Sequence, residues 1–191
     1  MPSPIGHSLI GLAIGVAAMP GETPGTPLPR RLFRRRWMLL GCMVVANLPD
    51  IDFIPGLLVG DMNAYHYNLT HSIGWAVLVG FGLWFLLRAV RPRTGLACLV
   101  LLLALLGSHL LADFWCEDRS PPYGMPIYWP LSNRWHTAER PLFMAMDKDT
   151  FRDVFTLANL PAALRELGIG LALCLGGLGV HYARRPSQGF R

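Results

Sequence analysis

Apolar positions along the chain gather into five runs separated by short charged or proline-rich breaks, with no internal repeat and no low-complexity tract. The first, Ile5 to Met19, follows Ser3-Pro4, a pair that predicts an N-cap with proline at the first helical position. This run is short for a membrane span. The second, Trp37 to Leu48, runs into ANLPDIDF at residues 46–53 and resumes as Ile54 to Val59. Thr70 to Val90 and Thr94 to Trp115 each reach the roughly 20 residues that a helix needs to cross a bilayer. The fifth, Ala162 to Tyr182, ends at Arg184-Arg185. Between the last two, Cys116 to Pro161 is polar and rich in Pro, Trp and Tyr, with one amphipathic helix expected near Thr150 to Asn159. The pattern predicts an all-α integral membrane bundle of about five spans, one domain over 1–191, with one long extracytoplasmic loop.

Composition agrees: 52% of residues are hydrophobic, 15% charged, and the mean hydropathy of +0.37 is too high for an ordinary soluble domain. The net charge of +5 raises the question of nucleic acid, and the placement of the 17 basic residues answers it. Eleven of the 17 flank apolar runs: Arg30, Arg31, Arg34, Arg35, Arg36, Arg88, Arg91, Arg93, Arg184, Arg185 and Arg191. That is the positive-inside distribution of cytoplasmic loops, so no nucleic-acid partner is expected. Placing those loops in the cytoplasm threads the spans without inversion. The N-terminus, Asp61 to Leu69 and the long loop then face the periplasm or cell exterior. The first run lacks a positive flank and reads as a retained helix rather than a cleaved signal. Cys42, Cys98, Cys116 and Cys174 form no CxxC pair and read as packing residues.

With this threading, the ionisable residues in or beside the spans collect at one end. His7 lies in the first turn of the first helix, Asp50 and Asp52 at the outer end of the second, His66 and His71 around the start of the third. His109 lies about 22 Å along the fourth, near the far edge of a core roughly 30 Å thick. His109 and Asp113, spaced i and i+4, share a helix face. Pro49 should end the second helix, and an extended Asp50-Ile51-Asp52 would point both carboxylates the same way. A buried charge is costly in a membrane, so seven such residues at one end point to a common task. Imidazole and carboxylate together suit a divalent ion, zinc first, with manganese or magnesium as alternatives and one or two ions permitted. The expected ligands are His7, Asp52, His66, His71, His109 and Asp113, with Asp50 and Asp52 as the catalytic carboxylates. His136 and Glu139 in HTAERP read as a solvated loop pair, and Asn68 as the cap of the third helix.

Four segments together resemble a known family: LPDID at Leu48 to Asp52, HYNLTHS at His66 to Ser72, SHLLAD at Ser108 to Asp113, and YGMPIYWPL at Tyr123 to Leu131. Their order and spacing, from His7 to Pro130, are similar to those of the membrane-bound metal-dependent hydrolases of bacteria and archaea whose founding members are LexA-regulated inner-membrane proteins. Tyr67 departs from that pattern, standing where the family usually has arginine. The resemblance implies metal dependence and hydrolysis and leaves the substrate open.

The expected chemistry is hydrolysis of an ester or phosphoester by metal-activated water, with Asp50 or Asp52 as general base or as a bridge between ions. A site at the outer surface, beneath a loop carrying Trp115, Trp129, Trp135, Tyr123 and Tyr128, suits a membrane lipid or lipid-linked substrate. Two alternatives remain at this point: an ion- or proton-coupled transporter, disfavoured by the apolar inner halves of the later helices, and a non-catalytic metal-binding membrane protein.

Overall fold

The computed structural model describes residues 2–20, 26–61, 64–119, 123–148, 150 and 152–184. Among the described residues there are six α-helices: α1 Pro4–Ala17, α2 Leu28–Ala46, α3 Phe53–Val59, α4 Ile73–Val90, α5 Leu96–Phe114 and α6 Leu160–Ala183. There is no β-strand among the described residues. Three helices, α4, α5 and α6, are long and apolar enough to cross a membrane. A fourth span arises if α2 and Leu48–Val59, bent by 54°, count as one. Against the five spans expected, the difference is α1, whose 14 residues extend only about 21 Å.

Ser3 caps α1 as its sequence predicts: its backbone is extended, its Oγ accepts from the Gly6 N–H at 3.3 Å, and Pro4 opens the helix. The same residue ties α1 to α6, because its N–H and Oγ–H donate to the Glu166 carboxylate at 2.8 and 2.6 Å. At the opposite end Arg184 donates to the Ala17 carbonyl. The two helices thus run parallel, with α1 lodged between α6 and α2. Small residues make that close approach possible. A Cβ on Gly11 would come within 2.8 Å of both the Cys42 carbonyl oxygen and the Ala46 Cβ.

α5 completes the core: Leu105 and Leu106 are fully buried, one against Cys42 and Ala46 of α2, the other against Ala76 of α4. Farther out, the apolar surface turns to the exterior. Leu78, Phe85 and Leu86 on α4 and Leu164, Leu171 and Leu175 on α6 are exposed, the inverse of a soluble protein and the arrangement a lipid solvent requires.

Three local expectations are corrected. After Asn47 the chain does not run extended; Leu48–Asp52 is a 3₁₀ turn with Pro49 in its first turn, where a fixed φ and a missing N–H do no harm. At about 120° per residue, Asp50 and Asp52 point in different directions. The amphipathic helix expected near Thr150 to Asn159 is also absent, replaced by two short 3₁₀ turns, Asp153–Phe155 and Leu157–Asn159. Asp153 accepts from the Thr150 N–H and Oγ1–H at 2.8 and 2.7 Å, local bonds that compete with helix formation. The cap of α4 is Ser72, not Asn68: its Oγ accepts from the Trp75 N–H at 3.2 Å. The long loop satisfies the neighbouring donors, with Ile73 N–H bonded to the Ile127 carbonyl and Gly74 N–H to that of Trp129.

Candidate metal centre

The starts of α1, α4 and α6 and the ends of α2 and α5 meet at one end of the bundle, and the ionisable residues collect there. His109 and Asp113, one turn apart on α5, hold Nε2 and Oδ2 3.0 Å from each other. The 3₁₀ turn Leu69–His71 delivers a second imidazole. His71 Nε2 lies 3.2 Å from Asp113 Oδ2 and 3.2 Å from His109 Nε2. Asp50 Oδ1 stands slightly farther off, 3.5 Å from His109 Nε2 and 3.7 Å from His71 Nε2. His7, His71 and His109 are wholly buried, and Asp113 nearly so.

The outer edges of the two imidazoles determine what the inner edges can offer. His109 Nδ1 is 2.7 Å from the Ala46 carbonyl oxygen, which can only accept, so that nitrogen carries the proton. His71 Nδ1 is 3.1 Å from Asp52 Oδ2, again an acceptor. Both rings therefore turn their Nε2 atoms inward, toward Asp113 and Asp50. With both Nε2 atoms unprotonated, lone pairs from two nitrogens and two carboxylates converge, and the Asp50 and Asp113 oxygens then find no hydrogen-bond donor. The arrangement could hold a cation between them, either a proton on His71 or a metal ion. Nitrogen and oxygen ligands at about 2.0–2.1 Å in a tetrahedron stand about 3.3 Å apart, the scale of the separations among His71, His109 and Asp113.

Asp52 does not join that point. Its Oδ1 meets His66 Nδ1 at 3.1 Å, its Oδ2 meets His71 Nδ1, and Thr70 Oγ1–H donates to Oδ2 at 2.7 Å. The two carboxylates of LPDID thus address opposite edges of one imidazole rather than a common spot. His7 stacks on His109 with centroids 3.8 Å apart and places Nε2 3.4 Å from Asp113 Oδ1. All seven predicted residues belong to one connected cluster. Two overlapping subsets have ligand atoms within 4.8 Å of one another: Asp50, His71, His109 and Asp113, and Asp50, Asp52, His66 and His71. His136 and Glu139 belong to neither, and Cys116 packs its thiol against the Met144 carbonyl.

Electrostatics favour positive charge at His71. Burial opposes an imidazolium at His71, but hydrogen bonds to Asp113, Asp50 and Asp52 outweigh it and raise the pKa well above the ordinary histidine value. His66 goes the other way: burial, then the nearby Lys148 charge, pushes it down to about 3, so the ring is neutral. Lys148 was not anticipated. Its side chain reaches over the Phe53 and Tyr67 rings at the edge of the cluster, and burial lowers its pKa to about 8. A signal was present, because it is the only lysine among the 17 basic residues.

A family profile described as YdjM inner membrane protein matches residues 1–186. The chain belongs to the YdjM inner membrane protein family. Neither a curated protein nor a solved structure matches it. YdjM membership accords with the outward-facing apolar helices and makes this an inner membrane protein; it carries no reaction with it. The chemistry of the YdjM chain has to be argued from the cluster.

Proposed function

We propose that this YdjM protein is a metal-dependent hydrolase acting on an ester or phosphoester of a lipid or lipid-linked substrate. The observation that carries the proposal is the meeting of His71 Nε2, His109 Nε2 and Asp113 Oδ2 at 3.0–3.2 Å, all three residues buried. These three would hold the ion, zinc being the best match to two imidazoles and a carboxylate, the type of set found in catalytic sites with an open position. A zinc ion held there supplies a Lewis acid and lowers the pKa of water toward neutrality.

Asp50, set back from the three and without a donor on either oxygen, is the general base. It accepts a proton as the oxygen of water bonds to phosphorus or to the acyl carbon and the ester bond breaks. Asp52 acts one step away, fixing His71 through Nδ1, the carboxylate–histidine relation common in metal sites. His7 holds the second oxygen of Asp113. The arginine-bearing ends of α2, α4 and α6 lie at the opposite end of the bundle, which supports an extracytoplasmic site.

The test uses the full chain in detergent with paired chromogenic substrates, 4-nitrophenyl butyrate and bis(4-nitrophenyl) phosphate, and a parallel measurement of bound metal. D50N should retain zinc and lose at least about 10²-fold in kcat, the scale of a general base. Protein free of metal after growth and purification with zinc, or D50N with wild-type turnover, overturns the proposal.

A further inference from the structure

Lys148 sits where a solvated surface lysine would not. Its ammonium is closed off from solvent and has no hydrogen-bond acceptor among the described residues. It lies 4.8 Å over the Phe53 ring and 5.5 Å over the Tyr67 ring. Those two rings are the cluster's wall: Phe53 stacks on His66 with centroids at 4.0 Å, and Tyr67 stacks on His66 at 4.1 Å and meets the His71 ring edge-on at 5.2 Å. The ammonium is therefore one aromatic ring away from His71.

The segment that carries it is held in place. Asn159, itself buried, accepts from the Asp147 N–H and donates to the Asp147 carbonyl, both at 2.7 Å, so the residue before Lys148 is clamped to the start of α6. Tyr67 is held at a φ of +60°, a left-handed conformation uncommon for a bulky residue, and it is this backbone that turns the ring toward His71 and Lys148. A buried cation with three unspent N–H donors is unfavourable unless something accepts from it. The rings attract the charge but accept no strong hydrogen bond.

We propose that Lys148 receives a phosphate oxygen of the substrate, which makes this a phosphoester site rather than a carboxylic ester site. The inference rests on the hydrolase reading above and names its substrate class. A neutral carboxylic ester offers no charge for a buried ammonium to meet. A phosphoester brings an anion toward Asp50, Asp52 and Asp113, and that approach demands a cation besides the metal. An ammonium is a compact point charge, suited to one phosphate oxygen where the planar arginine fork would need two. The phosphate can come from a lipid headgroup or from a free phosphomonoester; the chemistry at Lys148 is the same.

The experiment measures equilibrium binding of inorganic phosphate to the full chain in detergent, zinc-loaded and chelated, for wild type, K148M and K148R. K148M should bind phosphate at least tenfold more weakly with unchanged zinc content and melting temperature, and K148R should recover part of the loss. A second arm compares glycerol 3-phosphate with dioctanoyl phosphatidate. Tighter binding of the lipid assigns the phosphate to a headgroup and equal binding to a free ester, and either supports the proposal if K148M weakens both. Equal phosphate binding by wild type and K148M overturns it. So does loss of zinc from K148M, because Lys148 would then be a counter-charge of the metal centre. If no variant holds zinc and phosphate binding still depends on Lys148, the anion site stands and the metal reading falls.

Discussion

Replacing Asp52 by asparagine separates a ligand from a residue that orients one. The carboxylate accepts at three places, from Thr70 Oγ1 at 2.7 Å and from the Nδ1 atoms of His66 and His71 at 3.1 Å each. Asparagine keeps the shape and one acceptor oxygen but turns the other into an NH₂ group. Whichever way the amide is placed, one imidazole Nδ1–H faces a donor. If that ring is His71, its proton moves to Nε2, which removes the lone pair aimed at Asp113 and His109. If it is His66, His71 keeps its tautomer but loses a charged acceptor for a neutral one. Both routes weaken the site without removing any of the three ligands proposed here. Outer partners of metal-bound histidines are typically worth 10–100-fold in affinity, about 1.4–2.7 kcal/mol.

The assay is zinc binding by the detergent-purified chain against a chelator-buffered series of free zinc, with elemental analysis for stoichiometry and circular dichroism as a check on folding. D52N should keep full stoichiometry at saturating zinc with a dissociation constant 10–100-fold higher, while D113N and H109A lose stoichiometric binding. Loss of binding in D52N equal to that in D113N would make Asp52 a ligand and refute the assignment. Unchanged affinity would refute the role of His71 itself.

Zinc affinity should also rise with pH: because three carboxylates raise the His71 pKa, the metal-free protein carries a proton there at neutral pH, and the metal must displace it. Below that pKa the apparent affinity should fall by up to about tenfold per unit, with release of about one proton visible by calorimetry in buffers of different ionisation enthalpy; flat affinity from pH 6 to 8 with no proton release contradicts this. Removing the metal should lower thermal stability. At free zinc a hundredfold above the dissociation constant the stabilisation lost is about 2.7 kcal/mol, and D113N should melt at the same temperature with and without chelator.

Most helix starts were legible because apolar run length and capping chemistry are local; α2 was the exception, beginning at Leu28 and carrying in its first turns the arginines expected in a loop before Trp37. Ser3-Pro4 starts α1, and the i, i+4 spacing of His109 and Asp113 requires only that α5 be helical. What each carboxylate of LPDID touches was not legible. Proline near the start of a short segment suits a 3₁₀ turn as well as extended chain, and only the first sends Asp50 and Asp52 to different edges of His71. Lys148 was harder still. It lies 35 positions beyond Asp113, in a segment without periodicity, and its place depends on the Asn159 clamp, a long-range polar contact that no hydropathy pattern encodes. The number of spans was not settled by hydropathy for another reason. In lipid an apolar run reports burial against oil or protein alike, so α1, packed between α2 and α6, looks the same as a lipid-facing helix.

The distribution of buried polar groups bears on carriage versus catalysis. His7, Asp52, His66, His71, Ser72, His109, Asp113, Asn159 and Glu166 are buried at the end where α1, α4 and α6 begin, and Arg31 and His181 at the other. Between them the described interior includes Ile10, Ala13 and Val16 of α1, Leu39 and Cys42 of α2, Ala76 and Trp84 of α4, and Leu99, Leu102, Leu105 and Leu106 of α5. An ion leaving the cluster for the far end would have to shed its ligands and cross that apolar layer, where an isolated charge costs tens of kcal/mol in the idealised limit. Carriers place their polar groups near the midplane and rock around them. Here His71, His109 and Asp113, which could hold a cation, lie at one end of the bundle and not at its middle. That asymmetry suits a site that acts on what comes to it from one side.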